Sequence, residues 1–307
     1  MPTSKKPVVV TVGVFDGVHQ GHLALLGEAR RIADDRGARL VAASFDPHPA
    51  SVLRAAEFLG LLTLPTYRAK LLKAAGVDAV EFLEFNDNLR RLTPDEFVDE
   101  ILVTQLEADV IVVGSNFRFG NKASGDVSVL EALATKFGFE VEVVSLKGDT
   151  SAWSSTRIRK EILSGDVESA RKLLGRPHRL SGEVIYGDQR GRELGFPTAN
   201  LSVAPGLVIP ADGVYSGLLT TDDEVLPAAI SIGTNPTFAD VVTRRVEAYV
   251  LDRTDLKLYG QQIELDFLCH IRGMQAFSSI DDLIVAMNAD VATARGHIDD
   301  FLEGTGH

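Results

Sequence analysis

The chain has 307 residues, of which 45% are hydrophobic and 24% charged, with one cysteine and a formal net charge of −12. This length predicts about two domains, each large enough to bury its own core. The single cysteine excludes a disulfide framework and a cysteine-rich zinc site, and the acidic balance argues against nucleic acid as the main partner.

The charge is unevenly placed along the chain. Residues 1–178 carry 22 Lys and Arg against 24 Asp and Glu, whereas residues 179–307 carry 9 against 19. We therefore expect phosphates to bind more readily in the first part and to need a divalent cation in the second. The apolar run after the N-terminus is too short for a membrane span and has no cleavage-site pattern. We predict a cytoplasmic protein without a signal peptide and without membrane contact.

The first predicted elements are a strand, a glycine turn and a helix. Val8–Val12 is typical of a strand buried on both faces, and Gly13 and Gly17 let the backbone approach a ligand. The N-terminus of the following helix would direct N–H groups at an anion. His19 and His22 share a face of that helix and can donate hydrogen bonds to charge that builds up in a transition state. The predicted phosphate site comprises Gly13, Phe15, Asp16, Gly17, His19 and His22.

Two other interpretations of this stretch stay open. The glycines can form a plain tight turn beside ordinary surface histidines, or the histidines can bind a metal together with His48. Glycines, an aspartate and two histidines within a few residues of a buried strand favour the phosphate site. The lack of further clustered ligands disfavours a metal.

Strands and helices alternate up to residue 146. Strands are predicted at residues 39–45, 79–85, 108–114 and 140–145, and helices at residues 65–75, from a capping box at Thr93, and at residues 127–137. The alternation predicts a parallel, doubly wound sheet of Rossmann type with flanking helices.

Polar loops follow two of these strands at the edge where open parallel sheets bind ligands. Asp46 and His48 in the first loop are candidate ligand contacts, with a plain loop residue as the alternative for His48. The second loop, with Asn116, Phe117, Arg118 and Lys122, suits a planar, phosphorylated ligand. For Phe117 or Phe119 the alternative is a plain core anchor.

A second polyphosphate contact is predicted where the next helix starts. Three consecutive hydroxyl residues are followed there by two arginines, with the alternative that the hydroxyls are simple N-caps. The residues are Ser154, Ser155, Thr156, Arg157 and Arg159. A change of pattern at residues 175–178 then predicts two domains, 1–177 and 178–307.

The second part is predicted to be a small antiparallel barrel closed by a long helix from Ser279. Its strands are predicted at residues 182–187, 213–220, 228–232, 245–251 and 262–268. The glycine- and arginine-rich run 187–201 suits a flap over nucleotide phosphates, with Gly187, Arg190 and Gly195 as phosphate-binding residues.

Three residues of the barrel are candidates for phosphoryl-transfer chemistry. Thr198 and Asn200, two apart on an extended segment, offer oxygen ligands to Mg²⁺. Glu247, in an apolar strand, can accept a hydroxyl proton. A capped turn and a solvated carboxylate are the respective alternatives.

The run Gly13-Val-Phe-Asp-Gly-Val-His-Gln-Gly-His22 resembles the nucleotidylyltransferase signature of the bacterial bifunctional riboflavin kinase/FMN adenylyltransferases, also called FAD synthetases. Other runs resemble further motifs of that family in the same order: residues 46–49, 116–120 and 154–159 for the adenylyltransferase, and residues 195–200, 213–215, 231–238 and Glu247 for the kinase. The resemblance implies a nucleotidylyltransferase domain followed by a riboflavin kinase barrel with a C-terminal helix.

The resemblance also implies two reactions that use ATP with Mg²⁺. The barrel would phosphorylate riboflavin to FMN and release ADP, with Thr198 and Asn200 on the metal and Glu247 as the base. The first domain would join FMN to a second ATP, giving FAD and pyrophosphate, with His19, His22 and Arg159 as catalytic residues. Arg272 and Met274 would contact the flavin, although many relatives have an acid where Met274 stands.

Two rival functions stay open at this point. One is an adenylyltransferase for another phosphate ester with the barrel as a passenger. The other is a flavin- or nucleotide-binding regulator without turnover. The sequence leaves room for transient self-association.

Overall fold

The computed structural model describes residues 6–145, 153–187, 194–234 and 244–305. Its helices are α1 (Gln20–Asp35), α2 (Pro49–Leu53), α3 (Pro65–Ala74), α4 (Pro94–Glu96, continued as a π-helix over Phe97–Gln105), α5 (Val127–Phe137), α6 (Ser155–Ser164), α7 (Val167–Leu174) and α8 (Ile280–Thr305), with 3-10 turns at Ala55–Glu57, Leu89–Arg91 and Asn121–Ala123. Its strands are β1 (Val8–Val12), β2 (Arg39–Asp46), β3 (Ala79–Glu84), β4 (Val110–Gly114), β5 (Glu140–Val144), β6 (His178–Ile185), β7 (Thr198–Val203), β8 (Gly213–Thr220), β9 (Val225–Thr234), β10 (Arg244–Val250) and β11 (Gln262–Arg272).

Contacts between Cα atoms divide the chain into two compact units, Met1–Ser155 and Thr156–His307. This division falls earlier than the predicted domain boundary at residue 177. It does so because α7 packs on β6 and β11 of the second unit. The boundary between domains at residue 177 stays a prediction.

The first unit contains a parallel sheet with strand order β3-β2-β1-β4-β5, which confirms the predicted doubly wound architecture. All five residues of the central strand β1 are buried, because helices cover both faces of the sheet. Leu26 and Leu72, from α1 and α3, belong to one apolar cluster, and Leu102 and Leu130, from α4 and α5, belong to the other. The chain order reverses between β1 and β4, and such a reversal opens a crevice at the carboxyl ends of the strands.

The second unit is a closed antiparallel barrel with strand order β10-β7-β6-β11-β8-β9. Helix α8 covers one side through Ala294 and Ile298, which pack with Leu218 and Leu268. The barrel and its C-terminal helix were predicted, but β7 was not. Thr198–Val203 alternates polar and apolar residues and pairs with both β6 and β10, but it directly follows Pro197 and was interpreted only as an extended segment of a loop.

The stability of the barrel gives a first test. Tyr215 in β8 is buried, its hydroxyl donates to the carbonyl oxygen of Ala211 at 2.6 Å, and burial raises the pKa of Tyr215 to about 12. We expect Tyr215→Phe to lower the free energy of unfolding at pH 7 by about 1 kcal/mol, because one buried hydrogen bond is lost. Urea denaturation measures this difference.

The pH dependence of the same variant has a defined sign. The folded protein holds the Tyr215 proton more tightly than the unfolded chain, whose tyrosine has a pKa of 10.0. Wild-type stability should therefore fall as the pH rises from 10 towards 12, and the phenylalanine variant should lose less. An equal loss in both proteins would contradict this account.

Candidate active sites

The loop between β1 and α1 is a strained turn at the carboxyl end of the central strand. Phe15, Gly17 and Val18 have φ angles of 51°, 86° and 38°, so two non-glycine residues occupy the left-handed region. Each such residue costs about 1–3 kcal/mol and persists only where its surroundings fix it. Gly13 is confined for another reason, since an added Cβ would lie 3.0 Å from the Phe15 ring.

Buried polar groups hold this turn from beneath. The Asp16 carboxylate accepts hydrogen bonds from the backbone N–H groups of Leu62 and Thr63 at 2.9–3.1 Å. The Thr63 hydroxyl contacts both Asp16 and the backbone N–H of Gly17, at 3.1 and 3.0 Å. The Asp16 carboxylate thus faces protein donors, and its direct contact with a phosphate stays a prediction.

Arg68 of α3 completes these contacts and is only 1% exposed. Its guanidinium donates to the carbonyl oxygen of Val14 at 3.2 Å and lies 4.0 Å from the Asp16 carboxylate. Sequence reasoning missed Arg68. The only signal is its spacing of four residues from the buried Leu72, which puts both on one face of the helix.

His19 and His22 lie together at the N-terminus of α1. His19 is the N-cap, 5% exposed, and its Nδ1 accepts from the backbone N–H of His22 at 3.3 Å. The two rings stack with their centroids 3.7 Å apart, and the Phe15 ring meets His22 edge-on at 5.3 Å. The structure therefore brings the two predicted imidazoles side by side at a positive helix end.

A cavity of about 1100 Å³ opens beside these rings. The predicted residues that line it are Gly13, Phe15, His19, His22, Asn116, Phe117, Arg118, Ser154 and Ser155. Asp46 and His48 are not among the described lining residues, although their neighbours Phe45 and Pro49 are. His48 instead caps α2, where its Nδ1 accepts from the backbone N–H of Ala50 at 3.0 Å.

The charge of this lining is one-sided. Five cations, Arg54, Arg90, Arg91, Arg118 and Lys122, and no carboxylate occur among the lining residues within 6–145 and 153–155. Three of the arginines form ion pairs with aspartates: Arg90 and Arg91 with Asp87 at 3.0 and 3.6 Å, and Arg118 with Asp126 at 3.3 Å. Sequence reasoning missed Arg54, Arg90 and Arg91, because nothing in their sequence neighbourhoods distinguishes them from solvated surface.

Two aromatic residues of the loop after β4 have separate roles. Phe119 is buried in the core and packs against Phe97, with ring centroids 5.8 Å apart. Phe117 stacks on Phe119 at 5.4 Å and is only half-buried. Phe119 is therefore a core anchor, and ligand contact by the half-buried Phe117 stays a prediction.

The hydroxyl- and arginine-rich segment starts α6. The Ser155 hydroxyl donates to the carbonyl oxygen of Asp16 at 2.9 Å, so it is tied to the strained turn. Thr156, Arg157 and Arg159 follow on the same helix. Arg157 pairs with Glu161 at 3.4 Å and Arg159 is buried. Phosphate contacts by these three residues stay predictions.

Strand register assembles the predicted residues of the barrel. Glu247 on β10 lies opposite Asn200 on β7, and the Thr198 hydroxyl donates to the Glu247 carboxylate at 3.2 Å. An added Cβ at Gly187 would overlap the Asn200 amide, so that glycine backbone packs directly on it. Gly187, Asn200 and Glu247, which are far apart in sequence, thus meet with Thr198 at one place on the barrel wall.

The oxygen donors of this cluster fit a hard divalent cation, since a hydroxyl, an amide and one carboxylate are oxygen ligands of the kind Mg²⁺ prefers. In the described part of the chain no group of three or more His, Cys, Asp or Glu side chains is arranged to hold a metal. Gly195 has a φ of 87° at the end of the predicted flap. Arg190 and residues 235–238 lie outside the described residues.

The predicted flavin contacts in the second unit have protein partners of their own. Arg272 forms a two-point ion pair with the buried Asp290 of α8, at 2.8 and 2.7 Å. Met274 is 52% exposed, and an added Cβ at Gly233 would lie 2.9 Å from its terminal methyl group. Flavin contact by Arg272 and Met274 stays a prediction.

Comparison with known proteins identifies two families, one for each part of the chain. Residues 1–157 match the sequence model of the FAD synthetase family, and residues 174–298 match that of the riboflavin kinase family. Bifunctional riboflavin kinase/FMN adenylyltransferases are similar over 94% of the chain: that of Listeria monocytogenes is 35% identical with 91% of its length covered, and that of Pseudomonas fluorescens 37% identical with 92% covered.

A solved structure is similar over both units. A crystal structure from Streptococcus pneumoniae, described as that of a macrolide-efflux protein, is 33% identical with a TM-score of 0.86, and 95% of each chain is covered.

Within the described residues, no helix has the length and apolarity needed to cross a membrane.

The family matches decide between the functions left open by the sequence. The riboflavin kinase match over residues 174–298 overturns the rival in which the barrel is a passenger. Both matched families are transferases, which overturns the regulator without turnover. The chain belongs to the bifunctional riboflavin kinase/FMN adenylyltransferase family, with its FAD synthetase domain first and its riboflavin kinase domain second.

Proposed function

We propose that the cavity of the first unit is the site of FMN adenylylation and that the Thr198, Asn200 and Glu247 cluster is the site of riboflavin phosphorylation. The observation that carries the first assignment is the one-sided charge of the cavity beside a stacked histidine pair. FMN and ATP are both phosphorylated and both planar at one end. Their phosphates bind to cations and to a helix N-terminus, and their planar rings stack on an aromatic surface such as Phe117.

In the adenylylation step, an oxygen of the FMN phosphate attacks the α-phosphorus of ATP, and the bond to pyrophosphate breaks. Negative charge grows on the departing pyrophosphate. We assign His19 and His22 as donors of ring N–H groups to that charge, to which the N-terminus of α1 adds its dipole. Ser154, Ser155, Thr156, Arg157 and Arg159 are assigned to the phosphates, and Asp46, His48, Asn116, Phe117 and Arg118 to the flavin nucleotide.

In the phosphorylation step, the 5′-hydroxyl oxygen of riboflavin attacks the γ-phosphorus of ATP while Glu247 accepts the hydroxyl proton. The bond from the γ-phosphorus to the bridging oxygen breaks, and ADP leaves. The Thr198 hydroxyl orients the Glu247 carboxylate, to which it already donates at 3.2 Å. Thr198 and Asn200 would hold Mg²⁺, which when bound neutralises charge on the phosphates. Gly187, Arg190 and Gly195 are assigned to the nucleotide, and Arg272 and Met274 to the flavin.

The proposal also covers the domain boundary, the cellular location and the association state. The two activities are assigned to domains 1–177 and 178–307. A cytoplasmic location and transient self-association stay predictions from the sequence.

The two reactions of one chain test these assignments against each other. With riboflavin, ATP and Mg²⁺ we expect FMN to appear first and FAD after it. Chromatography with fluorescence detection measures both products over time. His19→Ala and His22→Ala should each lower the rate of FAD formation from added FMN by about 100-fold, since each removes one donor to the developing charge. FMN formation should not change.

The reciprocal variant is Glu247→Gln, which should lower FMN formation by about 100-fold because the general base is lost, while FAD formation from added FMN continues. The unaffected reaction of each variant is its control for folding. Histidine variants that form FAD at the wild-type rate would refute the first assignment, and a Glu247→Gln variant that forms FMN at that rate would refute the second.

The contact between Gly187 and Asn200 gives a further prediction. Gly187→Ala places a methyl group where the Asn200 amide lies, so we expect kcat/KM of riboflavin phosphorylation to fall at least about tenfold through misplaced groups. Gly296→Ala in α8 is the matched control, because an added Cβ there meets nothing within 4 Å. If both variants retain the wild-type kinase rate, Asn200 does not take part.

The cationic lining gives another prediction. Arg91→Ala and Arg90→Ala should each raise the KM for FMN or for ATP in FAD formation about tenfold, as expected for loss of one charged hydrogen bond. Arg31→Ala is the control, since Arg31 also pairs with acids on the surface of the first unit, Glu28 and Asp35. An equal effect of all three substitutions would mean that net charge alone matters.

A further inference from the structure

We infer that Thr63 and Arg68 are positioning residues for FMN adenylylation, and that they act by holding the strained turn which carries the histidine pair. The inference rests on the proposed function, because it assumes that His19 and His22 act in the reaction. Neither Thr63 nor Arg68 lines the cavity. Any effect of these residues on turnover must therefore pass through the residues that they hold.

The turn contains the features of a conformation imposed from outside. Phe15 and Val18 are non-glycine residues in the left-handed region, and both are 1% exposed. Local sequence does not favour this conformation, since Val is β-branched and disfavours positive φ. The conformation persists because neighbouring groups over-determine it.

Thr63 supplies two of the contacts that fix the turn. Its hydroxyl accepts from the backbone N–H of Gly17 at 3.0 Å and donates to the Asp16 carboxylate at 3.1 Å. Its own backbone N–H donates to the same carboxylate at 2.9 Å. A single buried hydroxyl therefore links two successive residues of the turn.

Arg68 links the turn to the neighbouring strand. Its Nη1 donates to the carbonyl oxygens of Val14 and Phe45 and to the Ser44 hydroxyl, at 3.0–3.2 Å. Val14 and Phe45 both line the cavity. The guanidinium thus fixes the ends of β1 and β2 relative to each other from the buried side.

The histidine pair inherits this placement directly. His19 follows Val18 in sequence and caps α1, and His22 stacks on it at 3.7 Å. A shift of the turn therefore moves both rings together relative to the rest of the cavity. Displacements of about 1 Å at a reacting centre cost up to about 100-fold in rate.

The test compares isosteric variants of two buried threonines. Thr63→Val removes the hydroxyl contacts without changing volume, and Thr11→Val in β1 is the matched control. Thr11 is fully buried, and its hydroxyl makes no hydrogen bond with the described residues. We expect Thr63→Val to lower kcat of FAD formation about 10-fold to 100-fold, with KM for FMN and ATP within about twofold, and Thr11→Val to leave kcat unchanged.

Arg68 is tested by the variants Arg68→Lys and Arg68→Met. For each variant, the rate of FAD formation is compared with the rate of riboflavin phosphorylation. Lysine should retain more of the FAD-forming rate than methionine, because it keeps the charge but loses the fork of donors. FMN formation should stay at the wild-type rate in both. If Arg68→Met prevents the first unit from folding, Thr63→Val decides the question alone.

A double variant separates a positioning role from a merely structural one. If Thr63 acts through the histidines, Thr63→Val should lower the rate little further in a His22→Ala background. Unchanged kcat in Thr63→Val, a selective rise in KM, or full additivity with His22→Ala would each overturn the inference. Histidine variants with normal FAD formation would instead refute the proposed function, so the two failures are distinguishable.

Discussion

The first unit depends on a backbone turn that its own residues do not favour. Bringing two imidazoles and a helix N-terminus to the end of β1 requires the chain to reverse within a few residues, and Phe15 and Val18 do so at positive φ. The free energy for this comes from buried polar contacts with the segment around Thr63 and Arg68. The two imidazoles are thus held by buried residues that do not line the cavity, as is usual where backbone strain persists in a structure.

The barrel solves the same problem by different means. There the chemistry is placed by strand register, which sets Glu247 opposite Asn200 and within reach of the Thr198 hydroxyl. The strands themselves place these groups, because alternate residues of paired strands share a face. A one-residue slip of β7 would send Thr198 and Asn200 to the other side of the wall.

The sequence was sufficient wherever a pattern has one physical cause. Val8–Val12 reads as a buried strand, the capping box at Thr93 is present with both of its hydrogen bonds, and Gly138 ends α5 in the left-handed conformation. The alternation of strands and helices predicted the parallel sheet of the first unit, and the short alternating strands predicted the barrel of the second. The glycine turn and the histidine pair were recognisable because small and polar residues are concentrated next to an apolar run.

What the sequence could not supply depends on tertiary contact. Arg68 looks like any charged helix residue until its burial is seen, and Arg91 looks like solvated surface until a cavity opens beside it. β7 was interpreted as an extended loop segment because it follows a proline in a glycine-rich run, although its residues alternate polar and apolar and it pairs with β6 and β10. The role of Phe119 against that of Phe117 was likewise decided by packing rather than by spacing.

The one-sided charge of the cavity also bears on how a catalytic cycle ends. In the proposed reaction, pyrophosphate would leave past the same cations that bind its parent nucleotide, and the described lining contains no carboxylate to repel it. Asp87, more than half exposed and paired with both Arg90 and Arg91, lies just beside that lining. Asp87 can pair with both guanidiniums when a product leaves, so that product release does not leave the two positive charges without an anion. Under the proposed function, Asp87 and the product would compete for the same two side chains.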